Sequence, residues 1–134
     1  MIDTDHRTEP LADAVSRLAS VFRALPQSKL LGLLPDGRSR AVAGHGLAVL
    51  LARAGQGVEE REGDAAPAFR DVPFDGPFVV GDQIAVTGHD LVAGLRGLDA
   101  SALVWGPDGR RVPVERVVEV MLGERSKLLL SKSR

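Results

Sequence analysis

The eleven residues AVAGHGLAVLL, at positions 41–51, return at 85–95 as AVTGHDLVAGL. At this offset of 44 residues six positions are identical: Ala41/Ala85, Val42/Val86, Gly44/Gly88, His45/His89, Leu47/Leu91 and Leu51/Leu95. Both copies carry apolar residues three and four apart, the period of a helix. The first, running from Ser39 to Ala54, is apolar almost all round, which suits a buried helix. Within it Gly44, Ala48 and Ala52 recur every fourth residue and form a smooth strip that a second helix can approach closely. The second, from Val80 to Leu98, places Ile84, Gly88, Leu91 and Leu95 on one stripe, with Asp82 near its positive end. Two such segments must both be buried, so the chain has to pack helix on helix. The two copies are expected to lie in contact, and a metal site shared by their histidines would have them antiparallel or crossed.

Other segments fit that frame. Leu11, Val15, Leu18, Phe22 and Leu25 form one stripe of an amphipathic helix opened by Pro10 in its first turn and stopped by Pro26. Asp13 and Arg17 form an i,i+4 pair on its other side. Ser28 is a candidate N-cap for the short apolar run SKLLGLL. PDGR occurs twice, at 35–38 and 107–110, and in each case Pro, Asp and Gly supply what a tight turn needs. Around the second copy, residues 102–105 and 110–114 predict a small hairpin, with Pro113 restricting its strand to an edge. VERVVEVML, at 114–122, fits both periods. A helix is favoured because Glu115, Arg116 and Glu119 cluster opposite the apolar stripe, with Gly123 as a stop. Gly55-Gln56-Gly57 likewise reads as the end of the first echoed helix.

The expected fold is therefore mainly α: one domain over residues 1–134, a small helical bundle of about four helices with a short β-hairpin near the C-terminus. An α+β arrangement, with 102–122 as strands, is the alternative. Residues 55–78 form a long internal connection, rich in charge, Gly and Pro, with Val72, Phe74 and Phe78 able to anchor it. Residues 125–134 form a basic C-terminal tail.

Composition narrows the function. There is no cysteine, so thiolate metal sites and a thiol nucleophile are excluded. The opening residues lack a signal core and no apolar run is long enough to span a bilayer, so a cytoplasmic chain with no membrane contact is expected. A net charge of −1 and an aromatic content of 4% argue against nucleic-acid binding, although they do not exclude it. No cofactor is expected.

Three groups of residues could carry a function. His45, His89 and Asp90 could bind a metal if the echoed helices brought them together, with Asp82 as a further carboxylate. The order His45, His89-Asp90, then Asp99 or Asp108 resembles the metal-binding pattern of HD-type phosphohydrolases over a few residues; it implies a metal-dependent hydrolase. The preferred reading of the two histidines is packing beside their glycines, which makes the echo two helices with the same packing job. Arg110, Arg111, Arg125, Lys127, Lys132 and Arg134 could contact an anion or nucleic acid. Leu128, Leu129 and Leu130, lying beyond the last expected helix, could form an interaction surface for a protein partner or a homodimer. The preferred function is a non-catalytic protein-interaction or regulatory module.

Overall fold

The computed structural model describes residues 5–130. Five helices and a two-stranded hairpin follow one another: α1 (Asp5–Ala24), α2 (Gln27–Leu30), α3 (Arg40–Glu59), a 3-10 turn (Pro77–Val79), α4 (Val80–Leu95), β1 (Leu103–Trp105), β2 (Arg111–Pro113) and α5 (Val114–Leu130). The mainly α fold with a hairpin near the C-terminus is as expected. One continuous apolar core takes side chains from all five helices and from β1, including Leu18, Leu30, Leu51, Ile84, Leu91, Val104 and Met121.

Three helices run further than their local signals predict. Helix α1 starts at Asp5, so Pro10 is interior. Its missing N–H removes one backbone bond from a helix that is held by buried neighbours, Leu11 and Val15 among them. Helix α3 passes through Gly55-Gln56-Gly57 to Glu59, and α5 passes through Gly123 to Leu130. Of the glycines in α3, Gly44 and Gly57 sit where neighbours leave no room for a side chain. Ser39 caps α3, accepting from the Val42 N–H at 3.1 Å. Ser28, by contrast, lies inside α2, whose N-cap is Pro26.

The ambiguous stretch 112–122 is divided at Pro113. Strand β2 ends there, and α5 begins at Val114. The first helical N–H groups, which have no partner within a helix, are received by the preceding loop: Val114 N–H by the Ala102 carbonyl and Glu115 N–H by that of Ala100, each at 2.9 Å.

The repeated PDGR builds one turn twice. In both copies the Asp carboxylate accepts from the N–H of the Arg two residues on, at 3.0 Å. In both, Gly takes a left-handed conformation, with φ of +89° at Gly37 and +82° at Gly109. The first copy closes a bridge between Leu33 and Ser39, and the second closes β1 on β2.

Helices α3 and α4 are parallel, not antiparallel or crossed. Gly44 lies beside Val80, Gly55 beside Leu91, and Val58 beside Gly94. Each pair is 36 residues apart, so both helices advance in the same direction. Because the sequence echo is offset by 44, the two copies sit about 12 Å out of step along the pair, at 1.5 Å per residue. Parallel neighbours also explain the long connection. The chain must return along the whole of α3, about 30 Å for its 20 residues, before α4 can start.

Candidate functional site

The echoed glycines have matching duties toward α1. A side chain on Gly44 would meet the Phe22 ring at 2.6 Å, and one on Gly88 would meet Val15, with its Cγ2 at 2.8 Å. Phe22 and Val15 are two turns apart on α1; α1 packs along α4 at Gly88, and reaches α3 at Gly44 through the tip of the Phe22 ring. Alongside this contact runs a polar seam between α1 and α4. Arg23 pairs with Asp82 at 2.7 Å, Ser16 with His89 at 3.2 Å and Glu9 with Arg96 at 3.4 Å. The partners descend α1 by seven while they climb α4 by seven, the spacing of two antiparallel helices in knobs-into-holes register. His89 is the middle member of this seam.

His45 faces elsewhere. Its Nε2 lies 2.6 Å from the Val72 carbonyl; a carbonyl can only accept, so the proton is on Nε2. The ring also meets Phe74 edge-on at 5.4 Å. Asp90 follows His89 in sequence but points about 100° away around the helix, lining the cleft described next. The three candidate metal ligands are thus directed at three different surroundings. Among the described residues no group of three His, Asp or Glu side chains is placed to hold a metal ion.

His45 belongs to a set of side chains that fastens the connection as a strap. Gln56, only 6% exposed, sits within the otherwise apolar stretch of α3. Its Nε2 donates to the Ala68 carbonyl at 2.9 Å and to Glu60 Oε2 at 2.8 Å, while its Oε1 accepts from the Arg70 N–H at 3.0 Å. The carboxamide therefore pairs with residues 68 and 70 as a neighbouring β-strand would. From α4, Gln83 donates to the Pro73 carbonyl at 2.8 Å. Arg53 lies over the Phe69 ring at 5.5 Å, and Arg70 pairs with Glu59 at 3.2 Å. Of the expected anchors, Val72 is half-buried while Phe74 and Phe78 are exposed, so main-chain hydrogen bonds do most of the fastening. Sequence reasoning misses Gln56 and Gln83. The one available signal was a glutamine between two glycines inside an apolar helix, which local rules assign to a helix end.

Under the strap lies a cleft of about 250 Å³. Its floor is Ala52 and Gly55; its walls are Gln56, Glu59, Thr87 and Asp90; residues 70–72 form the roof.

The basic candidates are dispersed. Arg111 lies on the Trp105 ring at 4.2 Å and donates to the carbonyls of Arg61 at 2.7 Å and Gly63 at 3.1 Å, so it is engaged in holding the strap's first turn. Arg110 is exposed beside Asp108. Arg125 and Lys127 belong to α5, not to a free tail; Arg125 is half-buried and Lys127 pairs with Glu124 at 3.1 Å. Lys132 and Arg134 lie outside the described residues. Leu128 packs into the core and is no surface residue; α5 turns it inward because the helix continues past Gly123. The side chains of Leu129 and Leu130 lie outside the described set.

Among the described residues the exposed large apolar side chains are Val21 on α1, Leu31 and Leu33 after α2, Val42 in the first turn of α3, Phe74 on the strap, Phe78, which is 64% exposed, Val86 on α4 and Leu103 on β1. Of these, Leu31, Leu33, Val42 and Phe78 lie on or next to α2, α3 and the 3-10 turn, which pack against one another. Among the described residues no helix is long and apolar enough to cross a membrane. No protein family, curated protein or solved structure matches this chain.

Proposed function

We propose that the protein is a non-catalytic module that acts by contact with other protein chains, and that its first partner is a second copy of itself. The observation that carries this is the exposed apolar group Leu31, Leu33, Val42 and Phe78 on three mutually packed elements. Apolar side chains scattered singly over a surface need no explanation, but four carried on or beside elements that pack together can form one face. A two-fold dimer covers such a face with its own copy and needs no complementary charge on the partner. His45, His89 and most of the described arginines are engaged in internal contacts, which supports contact over chemistry as the function.

Sedimentation analysis of the natural chain and of Phe78→Glu tests this. A concentration-dependent dimer that Phe78→Glu converts to a folded monomer supports the proposal. A natural chain that stays monomeric at about 100 μM, where even weak specific dimers form, overturns it.

A further inference from the structure

The strap is attached in an unusual way. Four hydrogen bonds from Gln56, His45 and Gln83 reach residues 68–73, and every one of them ends on a main-chain atom. Such a grip is indifferent to which side chains the strap carries. The side chains themselves bury little, since Ala68, Arg70, Asp71, Pro73 and Phe74 are all exposed. The direction is also regular. The strap meets Gln56 at residues 68 and 70 and His45 at residue 72, so it runs extended along α3, antiparallel to it.

The strap leaves a cleft of about 250 Å³ beneath residues 70–72, and the Oε1 atom of Gln83, the residue that holds Pro73, has no hydrogen-bond partner among the described protein atoms. Arg70, Asp71 and Val72 belong to the strap and would leave with it. The charges then left in the cleft wall are Glu59 and Asp90, both acidic.

We propose that the groove between α3 and α4 is a binding site for an extended basic peptide of a partner protein, and that residues 68–73 occupy it in cis. The partner's main chain takes the strap's place in the hydrogen bonds with Gln56, His45 and Gln83, and supplies an N–H to Gln83 Oε1. A lysine or arginine at the level of Asp71 enters the cleft between Glu59 and Asp90. The tethered strap competes at a high effective concentration, so the site is closed until the strap is displaced. This inference is independent of the apolar end, since dimerisation plays no part in the groove.

The test uses a labelled peptide of residues 66–76 carrying Asp71→Lys and fluorescence anisotropy. The natural chain is compared with one in which residues 67–75 are replaced by a Gly/Ser run of equal length. The peptide is expected to bind the replaced chain about tenfold or more tighter than the natural one, because the cis competitor is gone. Binding should weaken with salt and fall on Asp90→Asn or Gln56→Leu in the same background. Equal binding to both chains, or none to a folded replaced chain, overturns the proposal. Should the replaced chain not fold, hydrogen exchange at the Arg70 amide of the natural chain is measured with millimolar peptide. Faster exchange supports displacement, and unchanged exchange overturns it.

Discussion

Gly57→Ala tests the claim that the glycines of α3 exist for close approach. Gly57 is buried where α3 meets β1, and a methyl built on it would fall on the Trp105 carbonyl oxygen, within 2.7 Å of its carbon and 3.1 Å of the Trp105 Cβ. Ordinary carbon contacts lie near 3.5–4 Å, so β1 would have to retreat by roughly 1 Å. That strand holds Val104, fully buried, and Trp105 in the core, so the displacement spreads. Overpacking of this kind costs about 3 kcal/mol, and the better helix propensity of alanine returns about 1. The net expectation is a loss of about 2 kcal/mol, or roughly 8 °C in Tm for a chain of this size. Gly123→Ala is the matched control. Gly123 is also interior to a helix, but a methyl there meets nothing within 4 Å, so that variant should gain about 1 kcal/mol. Thermal and urea unfolding of both variants reads the difference. A Gly57→Ala chain as stable as Gly123→Ala would refute the close-approach argument and make Gly57 an ordinary helix residue.

Further outcomes follow from other contacts. Gln56→Leu leaves the Ala68 carbonyl and Arg70 N–H without their partner, and should cost about 1–3 kcal/mol; limited proteolysis should then cut within 60–76 well before the natural chain is cut. Arg111→Lys should behave almost like Arg111→Ala, because a single ammonium cannot lie flat on Trp105 and also reach two carbonyls; a shift in the emission of Trp105, the only tryptophan, reports the change. Exchanging the charges of Arg23 and Asp82 should alter stability by less than about 1 kcal/mol, since both are solvent-exposed; a larger effect in urea unfolding would show that the seam stabilises α1 more than its exposure implies. Asp36 is held below its ordinary 3.8 first by the Arg38 N–H and then by its guanidinium. Asp99 is held below 3.8 by the Ser101 N–H and hydroxyl. Lowered carboxylate values stabilise the fold above the unfolded value and are lost as pH falls through the folded one. These turns should therefore loosen below pH 3.8, and carboxyl NMR titrations of both residues should show midpoints under that value.

Local rules were enough wherever a structure depends on its own residues. The stripes of α1 and of both echoed helices and the two PDGR turns are set by period, by φ preference and by side chains bonding a neighbouring main chain. They are legible because the interacting groups lie within four or so residues of one another. The answer to the echo was legible in kind, two helices with one packing duty, but not in geometry. Glycine carries no side chain to declare whether it ends a helix, as at a C-cap, or admits a neighbour. At Gly57 the side-chain space is taken by Trp105, a residue some tens of positions away, so its role was decided only when that residue arrived. Helix direction was equally hidden, because a periodic stripe reads the same for a parallel or an antiparallel partner. The strap's fastening was hidden for the same reason: Gln56 and Gln83 grip main-chain atoms, and every residue but proline offers the same main-chain donor and acceptor. Sequence by itself determined which segments are helix and turn; tertiary structure decided which way they run, which glycines are seats, and what lies in the groove.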